Sequence, residues 1–155
     1  PTNFFNSKKQ PLRNIEEILV FYKKQCTYNP QKSMGHKPVN SYTKYVQTAN
    51  KTVCYGKSKQ VSGGGNTDRY PTQLLEFSSD KQTLSLHPTQ KPLALIEYLV
   101  KTYSRENDII LDFCMGSGTT GKACENLNRS FVGIEKDISF FELAKQRLNM
   151  EMTKC

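Results

Sequence analysis

Residues 108–137 read DIILDFCMGSGTTGKACENLNRSFVGIEKD, and this stretch decides the fold. Ile109–Leu111 form a short apolar run, which is typical of a buried strand, and the run ends at Asp112. The Gly116–Gly118 turn follows, and glycine enters left-handed backbone conformations without steric cost. The pattern therefore predicts a strand that ends at an acidic residue and leads into a tight turn.

A helix and a second strand are predicted to complete the unit. The helix is expected from Thr119 to Leu127, and a second apolar run, Phe131–Ile134, ends at Glu135. A strand, a glycine turn, a helix and another strand make a βαβ unit, in which the strands are parallel and the crossover is right-handed. We therefore predict an α/β protein.

Such a unit indicates a cofactor site. The glycines let the backbone approach a ligand closely, and the first N–H groups of a helix have no partners within the helix. Glu135 lies at the tip of the second strand, where an acidic residue can accept hydrogen bonds from the two hydroxyls of a ribose. We predict an adenosine-type cofactor at the carboxyl ends of the strands.

Two phosphate-bearing cofactors compete for this site. A dinucleotide requires G-x-G-x-x-G, which Gly116, Gly118 and Gly121 match, although this short pattern is a weak signal alone. A nucleoside triphosphate requires G-x-x-x-x-G-K-[ST]. Residues 116–122 satisfy this pattern, but Ala123 stands where a hydroxyl should hold Mg²⁺, which argues against a phosphate loop.

S-adenosylmethionine is the third candidate, and its site requires an acidic residue at the end of each strand. Asp112 and Glu135 supply both. Asp112 would repel a pyrophosphate, but it suits a cationic cofactor that carries an amino group. An ordinary βαβ turn without a ligand stays the alternative, because short motifs also occur by chance.

Composition limits the class of protein. The 155 residues predict one domain with a real core, and no apolar run approaches the ~20 residues of a membrane span. No two cysteines form a C-x-x-C pair, and His36 and His87 are the only histidines, so we predict no metal site. Free thiols suit a reducing cytoplasm. The cysteines are Cys26, Cys54, Cys114, Cys124 and Cys155.

The positive charge is concentrated in one half of the chain. The net charge is +8; residues 1–71 hold 12 Lys or Arg and 3 Asp or Glu, whereas residues 72–155 hold 10 and 11. This asymmetry points to a polyanionic partner. The lysines predicted to contact its phosphates are Lys44, Lys51, Lys57 and Lys59.

The segments before the cofactor unit are less regular. Residues 15–22 (IEEILVFY) are rich in strand formers and are predicted to form a core strand. Residues 23–71 show no period and interleave tyrosines with lysines, so we predict an irregular DNA-contacting insertion with a flexible hinge at Gly63–Gly65. A solvated basic loop is the alternative. A short strand is expected at Leu74–Phe77.

Two further helices are predicted. HPTQKP, residues 87–92, opens the first: Thr89 suits the N-cap, and Pro92 suits the first turn. Lys91 is unusual there, because positive charge is disfavoured at a helix N-terminus, and it hints at a site. The second helix, residues 138–150, is amphipathic and is interpreted as packing.

HPTQKP before a helix, DFCMGSGTT at residues 112–120 and an acidic residue closing the next strand together resemble the amino-type DNA methyltransferases, which modify adenine N6 or cytosine N4. The order resembles the beta class of that family. Residues 1–27 resemble the end of the catalytic half, 28–77 the target-recognition region, and 78–155 the S-adenosylmethionine-binding region. The resemblance implies a partial Rossmann-like methyltransferase fold with an irregular basic insertion.

The resemblance also implies roles for single residues. Glu135 would hold the ribose, and Lys91 would lie near the cofactor carboxylate. The family commonly has D-P-F where this chain has Phe113 and Cys114 after the aspartate, so the turn is expected to differ slightly. The implied cofactor-binding residues are Thr89, Lys91, Asp112, Phe113, Gly116, Gly118, Thr119, Thr120 and Glu135.

The catalytic tetrapeptide of the family, [DNS]-P-P-[YFW], is absent from this sequence, which has no Pro-Pro pair. In the family that element holds the flipped target base. We therefore expect the C-terminal portion of a site-specific DNA methyltransferase that is inactive alone and needs an N-terminal catalytic half, in the same chain or a separate one. A cytoplasmic restriction–modification setting in a bacterial, phage or viral-type host, and a homodimer, are further expectations. The alternatives are a non-catalytic DNA-binding relic, one half of a split enzyme, and a phosphate-loop NTPase.

Overall fold

A computed structural model of the chain describes residues 8–11, 15–39, 42–44, 61–80 and 89–149. The elements of this described part, in chain order, are β1 (Tyr42–Lys44), β2 (Val61–Gly63), α1 (Leu93–Tyr103), β3 (Ile109–Asp112), α2 (Thr119–Asn126), β4 (Ser130–Gly133) and α3 (Ile138–Arg147). No helix among these residues is long and apolar enough to cross a membrane.

The predicted βαβ unit is confirmed. β3 and β4 pair in parallel, from Ile109 opposite Ser130 to Asp112 opposite Gly133. α2 connects the two strands, as the apolar runs on either side of the glycine turn require. The Ile134 N–H donates to the Asp112 carbonyl at 2.9 Å, so the pairing continues one residue beyond β4. The structure therefore places the two acidic strand ends side by side.

The core of this unit lies between the sheet and two helices. Val100 of α1 and Ala123 and Cys124 of α2 are buried together, because the apolar faces of the two helices meet. The partly buried residues packed against them are Leu93, Ile96, Ile110, Leu127 and Phe131. Burial alternates along both strands, and the other face of the sheet is exposed: Ile109 keeps 71% of its accessible surface and Leu111 keeps 59%.

The predicted N-cap of α1 is wrong. The helix begins at Leu93 after Pro92, and no side chain of the N-cap residue itself bonds to the helix. Thr89 lies three residues before Pro92, whereas a capping side chain reaches the N–H groups of the first turn from the N-cap position itself. Asp80 takes this role from a distance: its Oδ2 accepts from the Leu93 N–H at 2.7 Å.

The C-terminal end of α1 is held by an earlier segment of the chain. The last carbonyls of a helix have no partners within the helix. Asn29 donates from its backbone N–H to Thr102 O at 2.7 Å, and from Nδ2 to Lys101 O at 3.2 Å and Ser104 O at 3.0 Å. Arg129 Nη2 also donates to Ser104 O, at 3.1 Å. These contacts anchor the beginning of the basic region, residues 28–77, to the end of α1.

The predicted core strand at residues 15–22 is not present. These residues are described without strand pairing, and they are exposed: Phe21 keeps 86% of its accessible surface. A strand requires a neighbour for its backbone groups, and no strand in the described part of the chain pairs with this segment. The apolar run alone therefore indicated burial that the described part of the chain does not provide.

The basic region is more regular than predicted. β1 and β2 pair antiparallel, with Tyr42 opposite Gly63, and Ser33 forms an isolated antiparallel bridge with Arg69. Gly63 is thus part of a strand rather than of a flexible hinge. The strand expected at residues 74–77 is absent: Leu74 is exposed, and Phe77 is half-buried beside the ring of Tyr98, 5.9 Å between ring centroids, without strand pairing.

Candidate functional site

The turn between β3 and α2 requires its glycines. Gly116 and Gly118 have φ values of 52° and 75°, in the left-handed region that other residues enter only with strain. The Gly118 N–H donates to Met115 O at 2.9 Å, and Gly118 is the N-cap of α2. The backbone of the turn is therefore folded tightly over the ends of the strands, as the sequence predicts.

Asp112, at the end of β3, holds both sides of this turn. Its Oδ1 accepts from the Cys114 N–H at 3.1 Å, and its Oδ2 accepts from the Thr120 hydroxyl at 2.6 Å. The carboxylate therefore ties the first residues of the turn to the first turn of α2. It retains acceptor capacity beyond these two bonds, because a carboxylate offers about four lone-pair sites.

Glu135, just beyond β4, binds the same turn from the neighbouring strand. Its Oε2 accepts from the Gly116 N–H at 2.8 Å, and its Oε1 accepts from the Asp137 N–H at 2.9 Å. Asp137 is the N-cap of α3, where its side chain accepts from the N–H groups of Ser139 and Phe140. Two carboxylates from adjacent strands thus accept hydrogen bonds from one glycine turn. They give this edge of the sheet a negative charge and acceptors for hydrogen-bond donors of a ligand.

Two side chains of the turn are exposed beside these carboxylates. Phe113 keeps 74% of its accessible surface, and Cys114 is also exposed. They occupy the positions at which the sequence departs from the D-P-F pattern. An exposed aromatic ring next to two carboxylates offers an apolar surface and acceptors at one place, a combination that suits an amphipathic cationic ligand.

The two threonines at the start of α2 have different surroundings. Thr120 is half-buried and donates to Asp112. Thr119 is buried, and its hydroxyl lies 3.2 Å from Nη1 of Arg147 in α3. Arg147 is not among the residues that the sequence predicted for the site, because the residues of α3 were interpreted as packing only. The available signal was its position three residues after Ala144, which places a cation beside the apolar stripe of that helix.

Two predicted site residues, Thr89 and Lys91, precede α1 in the chain. Thr89 is exposed, and Lys91 Nζ forms an ion pair with Glu16 Oε2 at 2.5 Å. This is the contact that the structure gives Lys91, so the structure brings together Asp112, Gly116 and Glu135 but does not join Lys91 to them. An exposed ion pair is weak and salt-sensitive, and it can exchange for another anion.

The predicted DNA-contacting lysines fall largely outside the described residues. Lys51, Lys57 and Lys59 lie outside them, and Lys44, the last residue of β1, is described by its backbone alone. Lys32 is described: it pairs with Asp68 at 2.7 Å and lies 4.3 Å from the ring centroid of Tyr70. Among the described residues, no group of three His, Cys, Asp or Glu could hold a metal ion.

Comparisons with known proteins identify relatives of this chain. The model of a family described as DNA methylase (N6_N4_Mtase) matches residues 1–146. The chain is 49% identical over 84 residues to the type II methyltransferase M.HpaI of Haemophilus parainfluenzae, which covers 52% of this chain and 27% of that protein. It is 45% identical over 99 residues to M2.LlaDCHI of Lactococcus lactis subsp. cremoris, covering 64% of this chain and 36% of that protein.

The chain is also similar in sequence to a solved structure. The crystal structure of the M1.HpyAVI–SAM complex is 57% identical to this chain where the two align, over 41% of this chain and 33% of that chain, with a TM-score of 0.40. The chain spans about a third of the length of the curated relatives described above.

Proposed function

This chain belongs to the N6_N4_Mtase family of DNA methylases, and from that membership we propose that it is the cofactor-binding and DNA-contacting part of a site-specific DNA amino-methyltransferase. The proposed cofactor is S-adenosylmethionine, and the proposed target is the exocyclic amine of adenine or cytosine in duplex DNA. The cofactor supplies a methyl group bound to a sulfonium, which an amine can attack. The work of this chain is to hold that cofactor and the DNA.

One observation carries the cofactor proposal: Asp112 and Glu135 end adjacent parallel strands and bind the same glycine turn. Ligands of open α/β sheets bind outside the carboxyl ends of the strands. A carboxylate at the end of the second strand suits the hydroxyls of a ribose, and a carboxylate at the end of the first suits an ammonium group. A pyrophosphate or a triphosphate would face two negative charges here, so the geometry favours a cationic cofactor over a nucleotide phosphate.

The remaining predicted residues receive roles that are consistent with their surroundings. Gly116 and Gly118 let the backbone approach the ligand, and Phe113 offers an exposed ring. Thr119 and Thr120 provide the first backbone N–H groups of α2. We propose that Lys91, with Thr89 beside it, exchanges Glu16 for the carboxylate of the cofactor. The small stability of an exposed ion pair supports that exchange.

The rest of the enzyme is proposed to cover the open face of the sheet. Parallel sheets are normally buried on both faces, whereas Ile109, Leu111 and Ile134 are exposed here. The chain has no [DNS]-P-P-[YFW] element. Both observations support a catalytic half supplied by another part of the same protein or by a separate chain.

The cofactor proposal is tested by calorimetric titration of the chain with S-adenosylmethionine. Binding is expected, and Glu135→Ala is expected to weaken it sharply. Glu142→Ala is the matched control, because Glu142 is a carboxylate of α3 that pairs with Lys145 at 3.7 Å, on a different element from the turn. ATP with Mg²⁺ should not bind. Absence of S-adenosylmethionine binding by a folded chain, or binding that Glu135→Ala leaves unchanged, would contradict the proposal.

A methylation assay addresses the catalytic half. The 155-residue chain is expected to transfer no methyl group to unmethylated duplex DNA alone. Activity is expected when a catalytic half that carries the [DNS]-P-P-[YFW] element is added, either fused to this chain or as a separate protein. Turnover by the chain alone would contradict the proposed division of labour, and failure of every combination to turn over, in spite of cofactor binding, would favour a non-catalytic relic.

A further inference from the structure

Arg147, in the last turn of α3, reaches the glycine turn from the helix that follows it in sequence. Its Nη1 lies 3.1 Å from the Ser117 carbonyl oxygen, 3.4 Å from Ser117 Oγ and 3.2 Å from Thr119 Oγ1. The two hydrogens of one guanidinium nitrogen are therefore shared among three oxygens of the turn. None of these oxygens belongs to Asp112 or Glu135, so Arg147 holds a different part of the turn from the two carboxylates.

The surroundings of these contacts are nearly closed to water. Ser117 keeps 2% of its accessible surface and Thr119 keeps 7%, and Arg147 is half-buried. Burial lowers the pKa of Arg147, and the Asp80 carboxylate opposes that shift. The guanidinium stays charged at neutral pH, because its ordinary pKa is so high. A buried carbonyl that lost this donor would pay a desolvation cost, so the contact is a strong constraint on Ser117.

α3 also packs directly against the turn. A Cβ atom at Gly118 would lie 3.1 Å from the Cβ of Ala144, one helical turn before Arg147. Ser117 lies between Gly116 and Gly118, both with left-handed backbone conformations, and glycine has many alternative conformations available. A turn with two such hinges requires external contacts to keep one shape, and Arg147 supplies them on the side of Ser117.

We propose that Arg147 is a positioning residue that fixes Ser117 and Thr119 so that the Gly116–Thr119 turn stays in the shape that receives S-adenosylmethionine. This inference rests on the proposed function of the turn. Arg147 acts through the backbone of Ser117 and does not itself contact the cofactor. Loss of its donors lets the turn populate other conformations, and apparent affinity falls by the fraction of molecules that remain competent to bind.

The test compares three variants of the full 155-residue chain. Arg147→Met removes the donors, and Arg147→Lys keeps a charge and a single donor group. Lys145→Met is the matched control, since Lys145 lies on the same helix and forms a 3.7 Å ion pair with Glu142 rather than a bond to the turn. Amide hydrogen exchange and ¹⁵N relaxation of the chain without ligand report the turn, and titration with S-adenosylmethionine reports binding. Thermal unfolding of each variant reports global stability.

For Arg147→Met we expect faster exchange and new relaxation broadening at Gly116–Thr119, while the amides of Ala123 and Cys124 keep their protection. If the competent fraction falls to one tenth, the dissociation constant rises about tenfold. Arg147→Lys should recover part of both effects, and Lys145→Met should change neither. If Arg147→Met fails to fold, two other variants replace it in the same measurements. They are Arg147→Lys and Thr119→Val, and the second removes one acceptor of the contact.

Two results would overturn the inference. One is a turn whose amides and affinity are unchanged in Arg147→Met or, where that variant does not fold, in both substitutes. The other is loss of protection in equal measure throughout the chain, with affinity falling only as the melting temperature falls, because that describes a stability contact alone. A wild-type chain that does not bind S-adenosylmethionine refutes the proposed function instead, and the amide measurements then still decide whether Arg147 orders the turn.

Discussion

The Glu135 carboxylate accepts a hydrogen bond from the Gly116 N–H at 2.8 Å, across nineteen residues of sequence. This bond joins the residue just beyond β4 to the turn after β3. The turn therefore already fixes the side chain of the proposed ribose-binding residue. A carboxylate that is fixed in this way loses little further conformational freedom when a ligand arrives.

Glu135→Gln removes the charge of this residue but keeps its bond to the turn. The amide oxygen can still accept from the Gly116 N–H, but the NH₂ group replaces the oxygen that accepts from Asp137, so we expect the free energy of unfolding to fall by about 1–3 kcal/mol. Hydrogen bonds to charged groups are worth about 1–2 kcal/mol more than neutral ones, so affinity for S-adenosylmethionine should fall about tenfold. Calorimetry and urea unfolding measure the two quantities, with Glu142→Gln as the control. Equal affinity of Glu135→Gln and wild type would remove the charged ribose contact from the proposal.

Gly121 is expected to be a packing glycine. A Cβ atom there would lie 2.6 Å from Leu148 Cδ1 and 2.8 Å from Phe131 Cε1. Replacing glycine by alanine inside a helix stabilises it by about 1 kcal/mol, whereas overpacking a core costs about 1–3 kcal/mol. Because the contacts at Gly121 are so short, we expect the steric cost to exceed the gain in helix stability. Gly121→Ala should therefore lower the urea midpoint. Gly63→Ala is the control, because a Cβ atom there meets no atom of the described residues within 4 Å. A Gly121→Ala variant more stable than wild type would show that Leu148 and Phe131 move aside easily.

The sequence was sufficient to predict elements that are determined by neighbours in the chain. The βαβ unit was predictable because its two apolar runs, its glycines and its acidic strand ends all lie within residues 108–137. Contacts between distant parts of the chain were not predictable in this way. Asp80 caps α1 from thirteen residues upstream, and Arg147 contacts Ser117 across thirty residues.

The error at residues 15–22 has a different cause. Phe21 and its apolar neighbours are residue types that favour strands, but this composition indicates only that the segment can be buried. Whether it becomes a strand depends on a neighbouring strand with matching backbone groups. Within the described part of this chain the segment has none, and it is exposed.

Cys124 should make the fold less stable at high pH. Its side chain is fully buried, and burial raises the pKa of its thiol above the ordinary value of 9.0. Above about pH 9 the unfolded chain releases this proton while the folded chain retains it, so the free energy of unfolding falls as pH rises, by at most about 1.4 kcal/mol per pH unit for one proton. Below that pH the two states are protonated alike, and no change is expected from this group.

Urea unfolding across this pH range, under reducing conditions, measures the effect. Tyr98 adds a change of the same sign at higher pH, because burial raises its pKa above 10.0. The comparison is therefore with Cys124→Ala, which loses packing at every pH but should show a shallower decline above about pH 9. Parallel curves for the two proteins would show that Cys124 does not titrate with folding.

The affinity of residues 1–71, the basic half of the chain, for DNA should depend on the salt concentration. Residues 1–71 hold 12 Lys or Arg against 3 Asp or Glu, and the four candidates are Lys44, Lys51, Lys57 and Lys59. Each lysine that neutralises a phosphate releases condensed counterions, so its change to glutamine should reduce the slope of log affinity against log salt by about 0.9. Binding of the chain to a labelled duplex at several salt concentrations measures this slope. Lys122→Gln is the control, because Lys122 pairs with Glu125 at 2.7 Å within α2. An unchanged slope in all four variants would place the DNA-binding surface elsewhere in the chain.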